Sequence, residues 1–227
     1  AVVAMEVGKN RMESIGEVQE TADLVNWYCD QMEQNAGFVR DLPNDPVKGF
    51  VSRNRTVLKP CGPWAVIAPF NFPVALAGAP IAAALVTGNT VVFKVASSTA
   101  WSGWLLHQAF RDAGVPPVVL TYLAGSGSVV GDGLVRHPGI AGATFTGSHE
   151  VGMGILRHFA AGTRPRPCIA EMGGKNAVVV SRHADLDRAA TGIVRSAFGL
   201  SGQKCSACSR VYVERPVAAE LIERMSD

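Results

Sequence analysis

A cysteine set among small and polar residues, with a lysine beside it, is the arrangement a reactive thiol needs. The nucleophile is the thiolate, and nearby positive charge favours it. The 227-residue chain carries such a stretch at 199–210, Gly-Leu-Ser-Gly-Gln-Lys-Cys-Ser-Ala-Cys-Ser-Arg, with Lys204 next to Cys205. Cys205 and Cys208 also form a C-x-x-C, which admits two other chemistries. A structural zinc needs about four sulfur or nitrogen ligands, and no second paired cluster follows, so no metal is expected. A thioredoxin-like pair opens a helix after a strand, whereas this one follows a helical pattern (185–198) and precedes a strand-like run (211–213). Taken by itself, the loop suits a reactive thiol and a merely packed cysteine equally well.

Composition narrows the function classes. With 48% hydrophobic residues the chain can bury a substantial core. A net charge of +2, with Lys and Arg scattered and no aromatics between them, argues against nucleic acid and against an anionic membrane. The longest apolar run, 73–86, contains Pro80 and falls short of the ~20 residues that span a bilayer, so it reads as a buried helix. Five cysteines, an odd number without framework spacing, read as a reduced, cytoplasmic protein. The first residues lack the basic flank and apolar core of a signal peptide. With no initiator Met, and a helical pattern still running at Asp227, the chain reads as an internal piece of a longer protein.

The elements that must position the thiol follow from periodicity. Over 16–36, Val18, Ala22, Val25, Tyr28 or Cys29, and Met32 recur at helical spacing and predict a surface helix packed through that face. Residues 41–59, with two prolines and an alternating stretch at 50–57, read as a loop leading into an extended hairpin. Strands then alternate with helices: strands at 64–68, 90–95, 118–123, 142–145 and 168–171, helices after 73, after 98, after 125–131 and at 149–160. In the second helix Ser97 or Ser98 is the expected cap, with Trp101, Trp104, Leu105 and Phe110 directed to the core. The alternation predicts an α/β fold, an open parallel (Rossmann-like) sheet with helices on both faces, followed by the start of a second α/β unit.

Ligands of open parallel sheets bind beyond the carboxyl ends of the strands. Asn71, Lys94, Ser97, Gly127, Ser148 and Glu171 are expected there. A lysine after one strand and a Ser-Gly turn before a helix can hold a ribose and a pyrophosphate, because a helix N-terminus offers free N–H donors. Gly127-x-x-x-Gly131 is not the G-x-G-x-x-G pattern, and a tight turn explains it as well as a phosphate cradle. Lys94, alone, reads more readily as a solvated lysine than as a ligand-binding one.

Four segments together resemble the aldehyde dehydrogenase superfamily: Pro-Phe-Asn-Phe-Pro at 69–73, Phe-Thr-Gly-Ser at 145–148, Glu-Met-Gly-Gly-Lys-Asn at 171–176 and Gly-Gln-Lys-Cys at 202–205. They occur in the family's order and spacing and span nearly the whole chain. The resemblance implies that Cys205 attacks an aldehyde carbonyl, that the Asn71 amide and the Cys205 N–H hold the oxyanion, and that hydride leaves to a nicotinamide to give a thioester. Glu171 would be the general base for hydrolysis. Lys94 and Ser97 are implied at the adenosine ribose. Gly127, Gly131, Phe145 and Ser148 are implied around the pyrophosphate and adenine, with Val151 behind them and Pro69 and Phe70 before the amide. Where many members have Lys-Pro-Ala-Glu, this chain has Lys94-Val95-Ala96-Ser97. Losing that glutamate removes its repulsion of a 2′-phosphate, so NAD is expected and NADP is admitted.

The loop at 198–210 is most similar to the branch that oxidises glutamate γ-semialdehyde, the open form of 1-pyrroline-5-carboxylate, to glutamate in proline catabolism. That substrate carries a carboxylate, which Lys204 and Ser206 can bind; Cys208 reads as packed. The resemblance further implies an NAD-binding domain over 1–171, interrupted at 41–59 by an oligomerisation hairpin, and the beginning of a catalytic domain over 172–227. The whole protein is then expected to be a homo-oligomer acting on a small aldehyde. Transfer of the acyl group to coenzyme A is disfavoured by the presence of Glu171, and a truncated piece that binds nucleotide without catalysis is the alternative of a different class.

Overall fold

The computed structural model describes residues 1–226. Its central feature is a parallel sheet of β3 (Trp64–Ile67), β4 (Val91–Lys94), β5 (Leu120–Leu123), β6 (Gly142–Gly147) and β7 (Cys168–Met172), in the order β5-β4-β3-β6-β7. The chain builds outward from β3 to β5, then returns to the other side of β3 to lay down β6 and β7. That reversal opens a crevice at the carboxyl ends of β3 and β6, the place where such sheets take ligands.

The central strands β3 and β4 are largely apolar on both faces because both are covered. Val66, Val91, Phe93 and Leu120 pack against α3 (Ala75–Val86) and α4 (Ala100–Asp112). Ala65, Ala143 and Phe145 pack on the other side against α5 (Asp132–Arg136) and α6 (His149–Ala160). Beyond β7 a second, smaller parallel pair begins, β8 (Asn176–Val180) with β9 (Cys208–Val213). It is covered by α7 (Leu186–Phe198) and α8 (Ala218–Ser226) through Val180, Ala190, Ile193 and Leu221. The hairpin at 41–59 appears as β1 (Val39–Leu42) antiparallel to β2 (Asn54–Val57), every residue of both strands being exposed.

Two helices depart from the expected packing. α2 (Arg11–Gln34) buries Ser14, Glu17 and Thr21, while Val18, on the face expected to pack, is 55% exposed. The polar stripe is inward because Glu17 is paired with Lys9, which follows α1 (Val2–Val7), and because Thr21 lies where a Cβ on Gly78 of α3 would stand. In α4, Trp101, Trp104 and Leu105 are about half exposed, Phe110 packs against the core as expected, and the buried residues are Ser102, Gly103 and Leu106. Neither Ser97 nor Ser98 caps this helix. The Glu6 carboxylate does so from α1, accepting from Trp101 N at 3.0 Å, Ser102 N at 2.7 Å and Ser102 Oγ at 2.6 Å. A carboxylate suits the free N–H groups and positive dipole end found there.

Candidate active site

Cys205 lies in the loop between α7 and β9, and three consecutive left-handed residues precede it. Leu200 (φ 51°), Ser201 (φ 55°) and Gly202 (φ 73°) turn the chain sharply. Two of them are not glycine, a conformation that costs of order 1–3 kcal/mol per residue and persists only where the surroundings impose it. The imposing contacts are visible. Leu200 is buried against Val3 and Val7, and its N–H donates to Glu13 Oε1 at 3.1 Å. Asn176, at the start of β8, donates from Nδ2 to the Cys205 carbonyl at 2.6 Å. Cys205 itself is exposed, whereas Cys208 is buried in β9 as a packed residue.

The amide expected to act with the thiol is brought to the same loop. Asn71 Nδ2 donates to the Gln203 carbonyl at 2.7 Å, across the gap between the β3 crevice and the second unit. The turn after Asn71 is held by Glu17, whose Oε1 accepts from Val74 N at 2.8 Å and Ala75 N at 3.2 Å. Lys9 Nζ donates to Glu17 Oε2 at 2.6 Å and stands 3.4 Å from the centroid of the Phe72 ring.

A cavity of about 1060 Å³ runs from this loop along the carboxyl ends of the strands. Of the expected residues, Pro69, Phe70, Asn71, Lys94, Gly127, Gly131, Phe145, Ser148, Val151, Lys204 and Cys205 line it. Lys94 ends β4, is only 5% exposed, and donates from Nζ to the Val95 carbonyl at 2.9 Å. Burial pulls its pKa below the ordinary lysine value. The turn Gly127–Gly131 opens with no side-chain cap on its first N–H groups. A Cβ on Gly131 would stand at ordinary contact distance, 3.5 Å, from Lys94 Cε, so the lysine stem lies directly beside the turn. Ser148 caps α6, its Oγ accepting from Val151 N at 3.4 Å. Free N–H donors at two turns, a partly desolvated ammonium and an apolar wall of Phe145 and Val151 fit a dinucleotide with its pyrophosphate.

Three expected residues stand off this wall. Ser97 is exposed and its Oγ donates to the Gly125 carbonyl at 2.9 Å, so its hydroxyl faces its own loop. Glu171 is exposed near the end of β7, on the strand face opposite Met172, because successive side chains alternate. Met172, which does line the cavity, packs toward Gly152 of α6. Ser206, one residue past the thiol, is exposed outside the wall. Lys204 lines the cavity but its ammonium reaches back to Gly199, where an added Cβ would lie 3.3 Å from Nζ.

Glu13, Glu17, Lys9 and Asn176 support the site and were not among the expected residues. The pattern Asn10-x-x-Glu13 was a legible capping signal, and both halves of that box form. Its further bond to Leu200 joins residues far apart in sequence and leaves no local signature. A second cavity of about 1150 Å³ lies among α1, α2 and α4, lined by Ile15, Val18, Leu105 and Phe110. No cysteine, histidine or carboxylate is among its lining residues. Among the described residues no cluster of three or more His, Cys, Asp or Glu side chains could hold a metal ion, and no helix is long and apolar enough to cross a membrane.

Comparison with known proteins agrees with this fold. The family model described as the aldehyde dehydrogenase family matches residues 1–227. The chain is 42% identical, over 99% of its length, to a 1-pyrroline-5-carboxylate dehydrogenase of Geobacillus thermodenitrificans, and spans 44% of that relative. Among solved structures it resembles an NADP-dependent glyceraldehyde-3-phosphate dehydrogenase from Bacillus halodurans complexed with NADP, with a TM-score of 0.89 and 41% identity, covering 98% of this chain and 46% of that one. It also resembles a 1-pyrroline-5-carboxylate dehydrogenase from Thermus with bound NAD, with a TM-score of 0.86 and 35% identity, covering 99% and 44%.

Proposed function

The chain belongs to the aldehyde dehydrogenase family, and on that premise we propose that the whole protein oxidises L-glutamate γ-semialdehyde to glutamate with NAD. The observation that carries this reading is the Asn71 amide bonded to the Cys205 loop at the mouth of a cavity fitted to a dinucleotide. A bound NAD or NADP would supply the two-electron acceptor.

The chain's own residues supply the rest. Cys205 Sγ, as thiolate, adds to the aldehyde carbon. The second hydrogen of Asn71 Nδ2 and the Cys205 N–H stabilise the oxygen as it gains charge, which is where preorganised donors act most strongly. Lys94, the Gly127–Gly131 turn, Ser148, Phe145, Val151, Pro69 and Phe70 bind and orient the dinucleotide. After oxidation the acyl group is held as a thioester, and Glu171 takes a proton from the water that releases the acid. Its position on the strand face away from α6 suits an approach opposite to that of the dinucleotide. Lys204, swung from its place near Gly199, and Ser206 would receive the substrate carboxylate. The loss of a glutamate at position 97 leaves NADP admissible.

In this reading residues 1–171 form most of the NAD-binding domain and 172–227 open the catalytic domain. The exposed β1–β2 hairpin serves assembly into a homo-oligomer. Five unpaired cysteines support a reading in a reducing compartment such as the cytoplasm.

The test is aldehyde-dependent NADH formation by the whole protein, comparing glutamate γ-semialdehyde with simple aliphatic aldehydes and running Cys205→Ala alongside. Activity concentrated on the semialdehyde and abolished in the variant is the expected result. Thiol-dependent activity on other aldehydes alone would discard the substrate, and activity that survives Cys205→Ala would discard the mechanism.

A further inference from the structure

We infer that Glu13 and Glu17, one turn apart on α2, are positioning residues that set the Asn71 amide against the Cys205 thiol; the inference rests on the roles proposed above for those two groups. The two loops reach the site from opposite ends of the chain, and neither is rigid by itself. The Asn71 loop is irregular until α3 begins, and the Cys205 loop has to hold Leu200 and Ser201 in a left-handed conformation that side chains disfavour.

Each loop is tied to α2 by a carboxylate. Glu17 accepts from the Val74 and Ala75 N–H groups, and its Lys9 partner covers the Phe72 ring, so the turn directly after Asn71 is gripped from below. Glu13 accepts from the Leu200 N–H, the first residue of the left-handed run. The Asn71 bond to Gln203 then closes a ring: α2, the Asn71 loop, the Cys205 loop and α2 again. Phe72, Val74 and Leu200 belong to one apolar cluster with Val3 and Val7, so the ring is filled as well as hydrogen-bonded. Because successive carboxylates on one helix face are separated by a fixed rise, α2 works as a ruler between the two loops.

Glu17 alone is a poor probe, since removing its charge would strand the buried Lys9 ammonium. Glu13 is only partly buried and can be changed safely. In the whole protein, Glu13→Ala should lower kcat about 10- to 100-fold, the scale of a small misplacement of reacting groups, with the KM for NAD within twofold of wild type. The rate of Cys205 alkylation by iodoacetamide should change with it. Glu13→Gln, whose amide oxygen can still accept from Leu200 N, should recover most of kcat. Asn10→Ala removes the reciprocal half of the capping box and should lower the thermal midpoint while leaving kcat within twofold. An unchanged kcat in Glu13→Ala, or an equal loss in Asn10→Ala, overturns the positioning role while Cys205→Ala still reports on the chemistry. Full activity in Cys205→Ala would overturn both.

Discussion

The Asn71 side-chain amide donates to the Gln203 carbonyl at 2.7 Å, joining residues 132 positions apart and fixing the amide two residues from the thiol. A primary amide carries two hydrogens, so this bond orients the group and leaves the second to donate elsewhere. Replacing Asn71 by Ala should therefore lower kcat about 10²- to 10³-fold, the cost of losing one oxyanion donor, with a much smaller change in the KM for aldehyde. Asn71→Asp should be no better, since a carboxylate only accepts. Steady-state kinetics decide it: a kcat near wild type in Asn71→Ala removes the oxyanion role.

The five thiols should separate under alkylation. Cys29, Cys61 and Cys205 are exposed; Cys208 is buried, and burial pushes the Cys168 thiol above its ordinary pKa. Peptide mapping after brief iodoacetamide treatment should find the three exposed sites modified and the other two spared. Only Cys205 modification should track lost activity, and NAD should slow it. Early labelling of Cys208 would contradict the packing of β9.

Close packing of α4 on the sheet should be sensitive to one methyl group. A Cβ on Gly103 would lie 2.6 Å from Val95 Cγ2 and 2.8 Å from Val95 Cβ. A β-branched side chain at a buried strand end has little room to turn away, so the backbone must move. Gly103→Ala should cost about 1–3 kcal/mol, read as a lower urea midpoint. Gly127→Ala, where nothing lies within 4 Å, serves as the control for stability.

Which polar residues come together at one cavity was more legible in the sequence than packing. The bounds of α6 coincide with the expected 149–160, because Ser148 caps it and its apolar positions repeat cleanly. The same periodic reading gave the wrong face for the first half of α2, because it counts apolar residues and the buried stripe there is Ser14, Glu17 and Thr21, while Val25, Tyr28 and Met32 of the expected face are half-buried. Likewise the tryptophans of α4 marked the outer face, with Trp104 lying against Tyr122 at its edge. Small residues instead face the sheet where the helix comes closest. Asn71, Lys94 and Cys205 were found from residue type and strand ends. The anchors Glu6, Glu13 and Glu17 were not, because their partners lie on other elements and no local pattern encodes such a contact.

The second unit should weaken in acid through one surface pair. Arg182 donates from Nε to Glu214 Oε2 at 2.8 Å and from its backbone N at 2.7 Å, which lowers the Glu214 pKa below its ordinary 4.5. A carboxylate with a depressed folded pKa contributes stability that is present above the unfolded value and lost as pH falls through the folded one. Glu214→Gln should thus be less stable than wild type at neutral pH, with the difference closing below about pH 4.5. A difference that persists unchanged at low pH would assign the effect to packing.

Lys94 and Ser97 should separate in their effect on the dinucleotide. Lys94 lines the cavity with a buried ammonium, while the Ser97 hydroxyl donates to the Gly125 carbonyl and stands off the wall. Lys94→Met should raise the Kd for NAD about 10- to 100-fold, the worth of a hydrogen bond from a charged donor, and Ser97→Ala should leave it within twofold. Stability gives an independent check. The folded-state pKa of Lys94 is lowered by burial, so the folded chain holds this proton less tightly than the unfolded one, and stability rises as pH climbs from the lowered value toward 10.5. Lys94→Met should remove that alkaline rise without lowering stability at neutral pH, because an apolar side chain of similar length fills the same space without a charge to desolvate. Fluorescence titration with NAD and urea midpoints across pH measure the two effects. A variant that binds NAD normally yet loses the alkaline rise would leave the burial argument intact and move the ribose contact to another residue.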